Sequence, residues 1–308
     1  MIKRLFFMAA LLMPGLAHGA NPTADLSVQI VPAGSAPAVP AAAQAAGFTT
    51  LALNADFSQP EYAGSSWFDC GGSENTDKVW HQDDQLYNDG FPPCSDIVQV
   101  NDGGNIVLDL IYRAGQTPHW QALTTKSYDG NHSISYPFTG YWEIEYSQAA
   151  GINNNFTDWW SSCTGLPSCP AGNLTLELDY SEQSNGFGDS GYHNWAVPGG
   201  CGGHDCVVKP NNLNTTQYHK WAGLVTTDGT TVWFCSLYDG SYNFCTTVQH
   251  TSDQINGVTG RNFAIISNGK GDVGQPMLQD SHMYIKSVRI WECANWQTSM
   301  CYGPLVHN

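Results

Sequence analysis

Basic residues are scarce in this chain. Lys and Arg number 11 against 27 Asp and Glu in 308 residues, a formal net charge of -16 with a sequence pI near 4.7. Nucleic acids and anionic membrane surfaces are held by clustered Lys and Arg, so this balance excludes both as partners, and its field would repel a strongly anionic polymer. Charge of either sign is thin as well, at 12% of residues. Beyond the N-terminus no run is apolar and long enough to span a bilayer. There is no Cys-x-x-Cys, which weighs against zinc-finger spacing, and no Gly-x-Ser-x-Gly, the serine-esterase elbow. The glycine-rich stretch Gly199–Gly203 lacks the Lys-Ser/Thr ending of a phosphate loop. No long amphipathic helical pattern is present.

What is there begins with Lys3 and Arg4, an apolar run from Leu5 to Met13, and a small-residue end at Ala17-His18-Gly19. This is the pattern of a secretory signal peptide over residues 1–19, so the protein is expected to be secreted, or periplasmic in a bacterium. Ten cysteines (70, 94, 163, 169, 201, 206, 235, 245, 293 and 301) form an even set, as expected of disulfides in an oxidising compartment. Cys163 with Cys169, Cys201 with Cys206, Cys235 with Cys245 and Cys293 with Cys301 are close enough in sequence to staple single loops or hairpins. The rival for His193, Cys201, His204 and Cys206 is a zinc site. Asn131, Asn155, Asn173 and Asn214 each begin an Asn-x-Ser/Thr acceptor, usable only in a eukaryotic secretory pathway.

Residues 20–46 are rich in Ala and Pro and read as a linker or arm; residues 47–308 show no further break and read as one domain. Strand signals recur through that domain at Thr49–Phe57, Asn105–Tyr112, Gly140–Ser147, Asn173–Tyr180, Thr230–Leu237, Arg261–Ser267 and His282–Trp291. They alternate or are rich in β-branched and aromatic residues, and Gly, Asn, Asp or Pro separates them. The expected fold class is all-β, a two-sheet antiparallel sandwich. Aromatics make up 12% of the chain. Taken singly they are core residues, but with abundant short polar side chains they also suit sugar rings, which present C–H faces and a rim of hydroxyls.

Chemistry concentrates in Leu174-Thr-Leu-Glu-Leu-Asp-Tyr-Ser-Glu182. In a regular strand Glu177 and Asp179 share one face while Leu176, Leu178 and Tyr180 share the other. Glu182 falls on the wrong face unless a β-bulge lies between Asp179 and Glu182. Three carboxylates on one strip repel one another, so at least one must bind its proton more tightly, and one residue type then supplies both an acid and an anion. A second same-face pair, Glu143 and Glu145, is the runner-up.

The Glu-x-Asp-x-x-Glu strand resembles the catalytic signature of glycoside hydrolase family 16, the laminarinase and agarase group. The order of the surrounding segments is similar too, over roughly residues 48–292. Gly140-Tyr-Trp-Glu-Ile-Glu-Tyr resembles the strand before the active-site hairpin, and Phe156-Thr-Asp-Trp-Trp160 takes the place of Trp-Pro-Ala-Phe-Trp. The stretch from Tyr218 through the Asp228-Gly turn to Phe234, then Arg261–Asn268 and Met283–Trp291, resembles the later core strands.

The resemblance implies a concanavalin A-like jelly roll, with Glu177 as nucleophile, Glu182 as general acid/base and Asp179 tuning both. It implies Trp160 as a sugar-stacking platform, with Trp159, His193, Trp195 and Asn268 lining the cleft. Three departures stand out: Glu145 replaces the family's Arg, Phe156-Thr-Asp-Trp-Trp160 replaces its Trp-Pro-Ala-Phe-Trp, and Lys286 replaces an Asp that commonly ligates calcium, so neither a metal nor a cofactor is expected. The function so implied is a monomeric retaining endo-glycosidase acting on a neutral β-glucan, β-1,3 or mixed-linkage. A transglycosylase on the same site, or a lectin-like carbohydrate-binding protein on the same sandwich, remains the alternative.

Overall fold

The structure is a computed structural model that describes residues 36–72, 78–82, 90–116, 120–127, 134–149, 155–162, 176–184, 187–194, 206–211, 215–227, 231–249, 261–270 and 277–293. They form a short helix, α1 (Ala41–Ala45), and seventeen strands. The first nine are β1 (Thr50–Asp56), β2 (Phe68–Asp69), β3 (Trp80–Gln82), β4 (Ile97–Asp102), β5 (Asn105–Tyr112), β6 (Trp120–Thr124), β7 (Tyr136–Pro137), β8 (Gly140–Gln148) and β9 (Asn155–Ser162). The others are β10 (Leu176–Ser184), β11 (Phe187–Asn194), β12 (Cys206–Asn211), β13 (His219–Thr227), β14 (Thr231–Tyr238), β15 (Ser241–Gln249), β16 (Arg261–Lys270) and β17 (Ser281–Glu292).

The strands build two sheets. One runs β15-β14-β13-β8-β17-β5-β4 with β1 beside β17; the other runs β12-β11-β10-β9-β16-β6-β3-β2 with β7 beside β16. Pairing is antiparallel except between β2 and β3. Alternation explains the layering: Trp142, Ile144 and Tyr146 of β8 and Val288 and Ile290 of β17 face Trp159 of β9, Leu178 and Tyr180 of β10, and Ala264 and Ile266 of β16 in one buried core. Trp142 stacks on Tyr180 across the sheets at 5.5 Å between ring centroids. Gly223 of β13 makes room for that ring, since a Cβ there would collide with it. The expected all-β sandwich is the fold observed.

The outward face of the first sheet is partly covered by the N-terminal arm. Of residues 20–46, the described part from residue 36 turns through α1 and packs Ala43, followed by Phe48, on Tyr141, Ala222, Leu224, Leu237 and Trp291. Burying Phe48, which is fully buried, is worth about 1.5–3 kcal/mol. The short alanine side chains let this helix lie close to the sheet.

Cys235 and Cys245 are direct cross-strand partners on β14 and β15 and form a disulfide, one of the pairings their spacing allows. Cys70 pairs with Cys94, and Cys293 at the end of β17 is disulfide-bonded too. The pairs 163 with 169 and 201 with 206, and the candidate zinc set with them, lie outside the described side chains. Asn155 is 3% exposed, which closes that glycosylation acceptor in the folded state; Asn131, Asn173 and Asn214 lie outside the described residues. No helix among the described residues is long and apolar enough to cross a membrane.

Candidate active site

The β10 strand carries the bulge that its carboxylates require. Asp179 pairs with Gly191 of β11 and Glu182 with Asp189, so three steps on β10 match two on β11, and the register against β9 shifts between Asp179 and Ser181. Tyr180 and Ser181 therefore both turn into the core. Tyr180 stacks on Trp142 and its hydroxyl meets Ser161 Oγ at 2.8 Å. Ser181 Oγ meets the Tyr146 hydroxyl of the opposite sheet at 2.7 Å, and Ser190 Oγ donates to the Tyr180 carbonyl at 3.0 Å. The bulge is thus fastened by buried hydrogen bonds and a ring stack. Its consequence is that Glu177, Asp179 and Glu182 share the face turned away from the core.

Neighbouring strands add to that face. Across β9, Asp179 stands opposite Trp160 and Glu182 opposite Asp158; across β16, Trp160 stands opposite Ile265 and Asp158 opposite Ser267. Trp160 packs with Phe263 and Ile265 in a small apolar cluster separate from the main core. Asp179 and Asp158 are 1% and 6% exposed, while Glu177 and Glu182 are half-buried.

One carboxylate oxygen each from Asp158, Asp179 and Glu182 lies within 4.8 Å of the others. At that separation two unit charges repel by roughly 3–4 kcal/mol for an effective dielectric constant of about 20. This exceeds the ~1.4 kcal/mol that corresponds to one pKa unit, so the charges disfavour ionising all three at once. Burial, then the charges of Asp179, Asp158 and Asp189, push the Glu182 carboxyl well above the ordinary range, and a hydrogen bond with Asp189 adds to this. Asp158 is raised likewise by burial and by Asp179, Glu177 and Asp189.

Other expected site residues divide by strand parity. His193 pairs with Glu177 in the β10–β11 register; its side chain, and Trp195 altogether, lie outside the description. Trp159 and Asn268 do not line this face. Trp159, one residue from Trp160, points the opposite way and is fully buried beside Tyr180 in the core. Asn268 is buried between the sheets, donating to the carbonyls of Leu110 at 2.7 Å and Ser281 at 3.0 Å and accepting from Ser281 Oγ at 2.8 Å. Adjacent residues of a regular strand cannot both face one cleft, so Trp160 and Trp159 were never compatible as a pair. Asp158 went unnoticed in the sequence, although it shares parity with Trp160 and that alternation would have revealed it.

Glu143 and Glu145, the runner-up pair, project from the outward face of the first sheet among cations. Glu143 lies 3.5 Å from Lys220 and 3.8 Å from Arg289, and Lys286 Nζ donates to Glu145 at 3.0 Å while standing 4.1 Å over the Tyr218 ring. Glu145 and Lys286, two of the three departures from the family pattern, are partners in one ion pair.

No family model and no curated protein matches the sequence. Solved structures do match in fold. An endo-acting O-glycanase expressed by human gut microbiota to initiate mucin breakdown superposes with a TM-score of 0.55 at 16% identity, covering 79% of this chain and 99% of that one. A non-specific endo-β-1,3(4)-glucanase of glycoside hydrolase family 16 gives 0.55 at 15% identity, covering 79% and 91%. The Bacillus licheniformis β-glucanase gives 0.50 at 12% identity, covering 79% and 98%. The chain has the two-sheet jelly roll of that glycoside hydrolase family.

Proposed function

We propose that this protein is a secreted retaining endo-glycosidase that hydrolyses internal β-linkages of a neutral glucan, β-1,3 or mixed-linkage. The observation that carries the reading is the bulge, which turns Glu182 onto the face of Glu177 and Asp179 beside Trp160. Glu177 attacks the anomeric carbon as Glu182 gives its proton to the departing glycosidic oxygen, forming a glycosyl ester on Glu177. Glu182, now an anion, takes a proton from water, whose oxygen attacks the same carbon and releases Glu177. Two inversions retain the configuration. Carboxyl groups about 5–5.5 Å apart suit this route, whereas inversion needs about 6.5–9.5 Å to admit a water. Asp179 between them disfavours a second negative charge on Glu182 in the resting enzyme. The excess of acid over base and the endo-glucanases of similar fold support a neutral glucan, and the disulfides support an oxidising compartment.

The test is incubation with laminarin, mixed-linkage glucan, agarose and xyloglucan, following new reducing ends and the first anomer by proton NMR. New reducing ends with an initial β-anomer are expected. Glu177→Ala should stop turnover and keep binding, with azide restoring cleavage of an activated glycoside. Binding without any cleavage by the wild type would favour the lectin-like alternative, exchange of chain lengths without net reducing ends a transglycosylase, and an initial α-anomer would exclude retention.

A further inference from the structure

The strand motif accounts for three carboxylates, but the structure brings a fourth among them. Asp158 stands directly opposite Glu182 in the β9–β10 pairing. Directly opposed residues of an antiparallel pair project from the same face. Asp158 is 6% exposed, its Oδ1 has no hydrogen-bond partner, and the neighbouring Trp160 Nε1, on the same face, has none either. Asp158 takes the place of the Ala in the Trp-Pro-Ala-Phe-Trp segment that Phe156–Trp160 resembles, so a small apolar residue has given way to a buried acid.

Around it stand Glu177 and Asp179 from β10, with Glu182 within 4.8 Å, and Asp189 from β11, which is hydrogen-bonded to Glu182; the uncharged Ser267 stands opposite on β16. Among the described residues, the charges acting most strongly on Asp158 and Glu182 are all acids. An acid in such a place needs a proton or a cation. A cation between Asp158 and Glu182 would leave Glu182 nothing to donate; a proton would not.

We propose that Asp158 is a positioning residue for the general acid, a second carboxylate coupled through space to Glu182 that keeps a proton on Glu182, beside its hydrogen-bonded neighbour Asp189, until Glu182 delivers it to the leaving oxygen. This rests on the glycosidase reading. Protons on such a pair come off in steps that belong to the pair, so the last is lost at a higher pH with two carboxylates than with one. The proton returns when Glu182 deprotonates water in the second half of the reaction. Asp158 touches no reacting atom and acts through Glu182.

The experiment compares the pH dependence of kcat/KM on the best glucan for the wild type, Asp158→Asn and Asp158→Ala. Both variants are expected to lose activity on the alkaline side at a pH lower by roughly one unit or more. Coincident alkaline limbs would overturn the proposal, because a merely structural Asp158 lowers the rate without moving them. Carboxyl-labelled NMR titration of the free protein gives a readout without substrate. The wild type should show a carboxyl group that titrates well above about pH 5 and that moves to lower pH by roughly one unit or more in Asp158→Asn. If no glycan is cleaved, the glycosidase reading fails while this titration still decides whether the pair is coupled. If the variants do not fold, the absence of any such high-titrating group in the wild type overturns the proposal. Loss of activity on chelation, restored by calcium, would put a cation where we place the proton and overturn it too.

Discussion

Two acidic strips run along strands of this protein, and the same residue type serves opposite ends in them. On β8, Glu143 and Glu145 stand two residues apart on the outward face of one sheet; on β10, Glu177 and Asp179 stand two residues apart on the outward face of the other, with Glu182 brought in by the bulge. Across from the first strip β17 and β13 supply Arg289, Lys286 and Lys220. Across from Glu182, β9 and β11 supply Asp158 and Asp189. Burial raises the Glu143 carboxyl above its ordinary value while Lys220 and Arg289 pull against that rise; at Glu182 burial and the neighbouring acids push the same way. A carboxylate pair therefore tells little about chemistry until its cross-strand neighbours are known.

The largest expected effect separates the strips by activity. Glu182→Gln should lower turnover by about 10^2- to 10^4-fold, the range for losing a general acid. Glu143→Gln should leave kcat/KM within about twofold, yet lower the unfolding free energy by about 1–3 kcal/mol by leaving Lys220 and Arg289 short of a partner. Steady-state kinetics with urea unfolding of both variants checks this, and a Glu143 variant as inactive as the Glu182 one would erase the distinction.

A smaller effect divides the two adjacent tryptophans of β9. Trp159→Ala removes a fully buried core ring and should cost about 3–5 kcal/mol of stability, with little change in KM. Trp160→Ala should raise KM by roughly tenfold or more through the lost apolar contact with a sugar. Trp160→Ala losing only stability would return that ring to a packing role.

The smallest effect is on stability against pH. Asp158 and Glu182 bind protons more tightly folded than unfolded, so their contribution is full below the unfolded carboxylate values, about 3.9–4.3, and is lost as pH rises through the folded ones. The melting temperature should fall as pH rises from about 5 to about 8, and Asp158→Asn should flatten that fall. Asp280 supplies the contrary case: the Ala114 amide and the Arg113 guanidinium hold it below its ordinary value, so its contribution is lost on acidification. An unchanged slope in Asp158→Asn would mean that the strip does not carry these protons.

Much of this was legible beforehand because it is local. Strand alternation marked β1, β5, β8, β10, β14, β16 and β17, and the spacing of Glu177, Asp179 and Glu182 demanded a bulge where one lies. Short strands such as β6 and β7 were not legible, since five residues or fewer carry too little pattern. Composition left the docking of α1 open, because an Ala/Pro-rich segment reads equally as a linker or an arm until the sheet beneath it is known. Trp159 and Asn268 were misplaced because a segment-level resemblance does not count parity residue by residue.

By itself the sequence determined the alternating strands, the acidic strip with its extra residue, and the nearness of Cys235 to Cys245 that lets them staple a hairpin. All of these follow from neighbours within about a dozen residues, where backbone geometry leaves few choices. Only the tertiary structure decided that Asp158 joins Asp179 and Glu182, that Lys220, Lys286 and Arg289 stand on Glu143 and Glu145, and that Tyr146 fastens the bulge through Ser181. Those contacts join residues 20 to more than 100 positions apart, and strand order and register, which no local pattern encodes, choose which side chains meet.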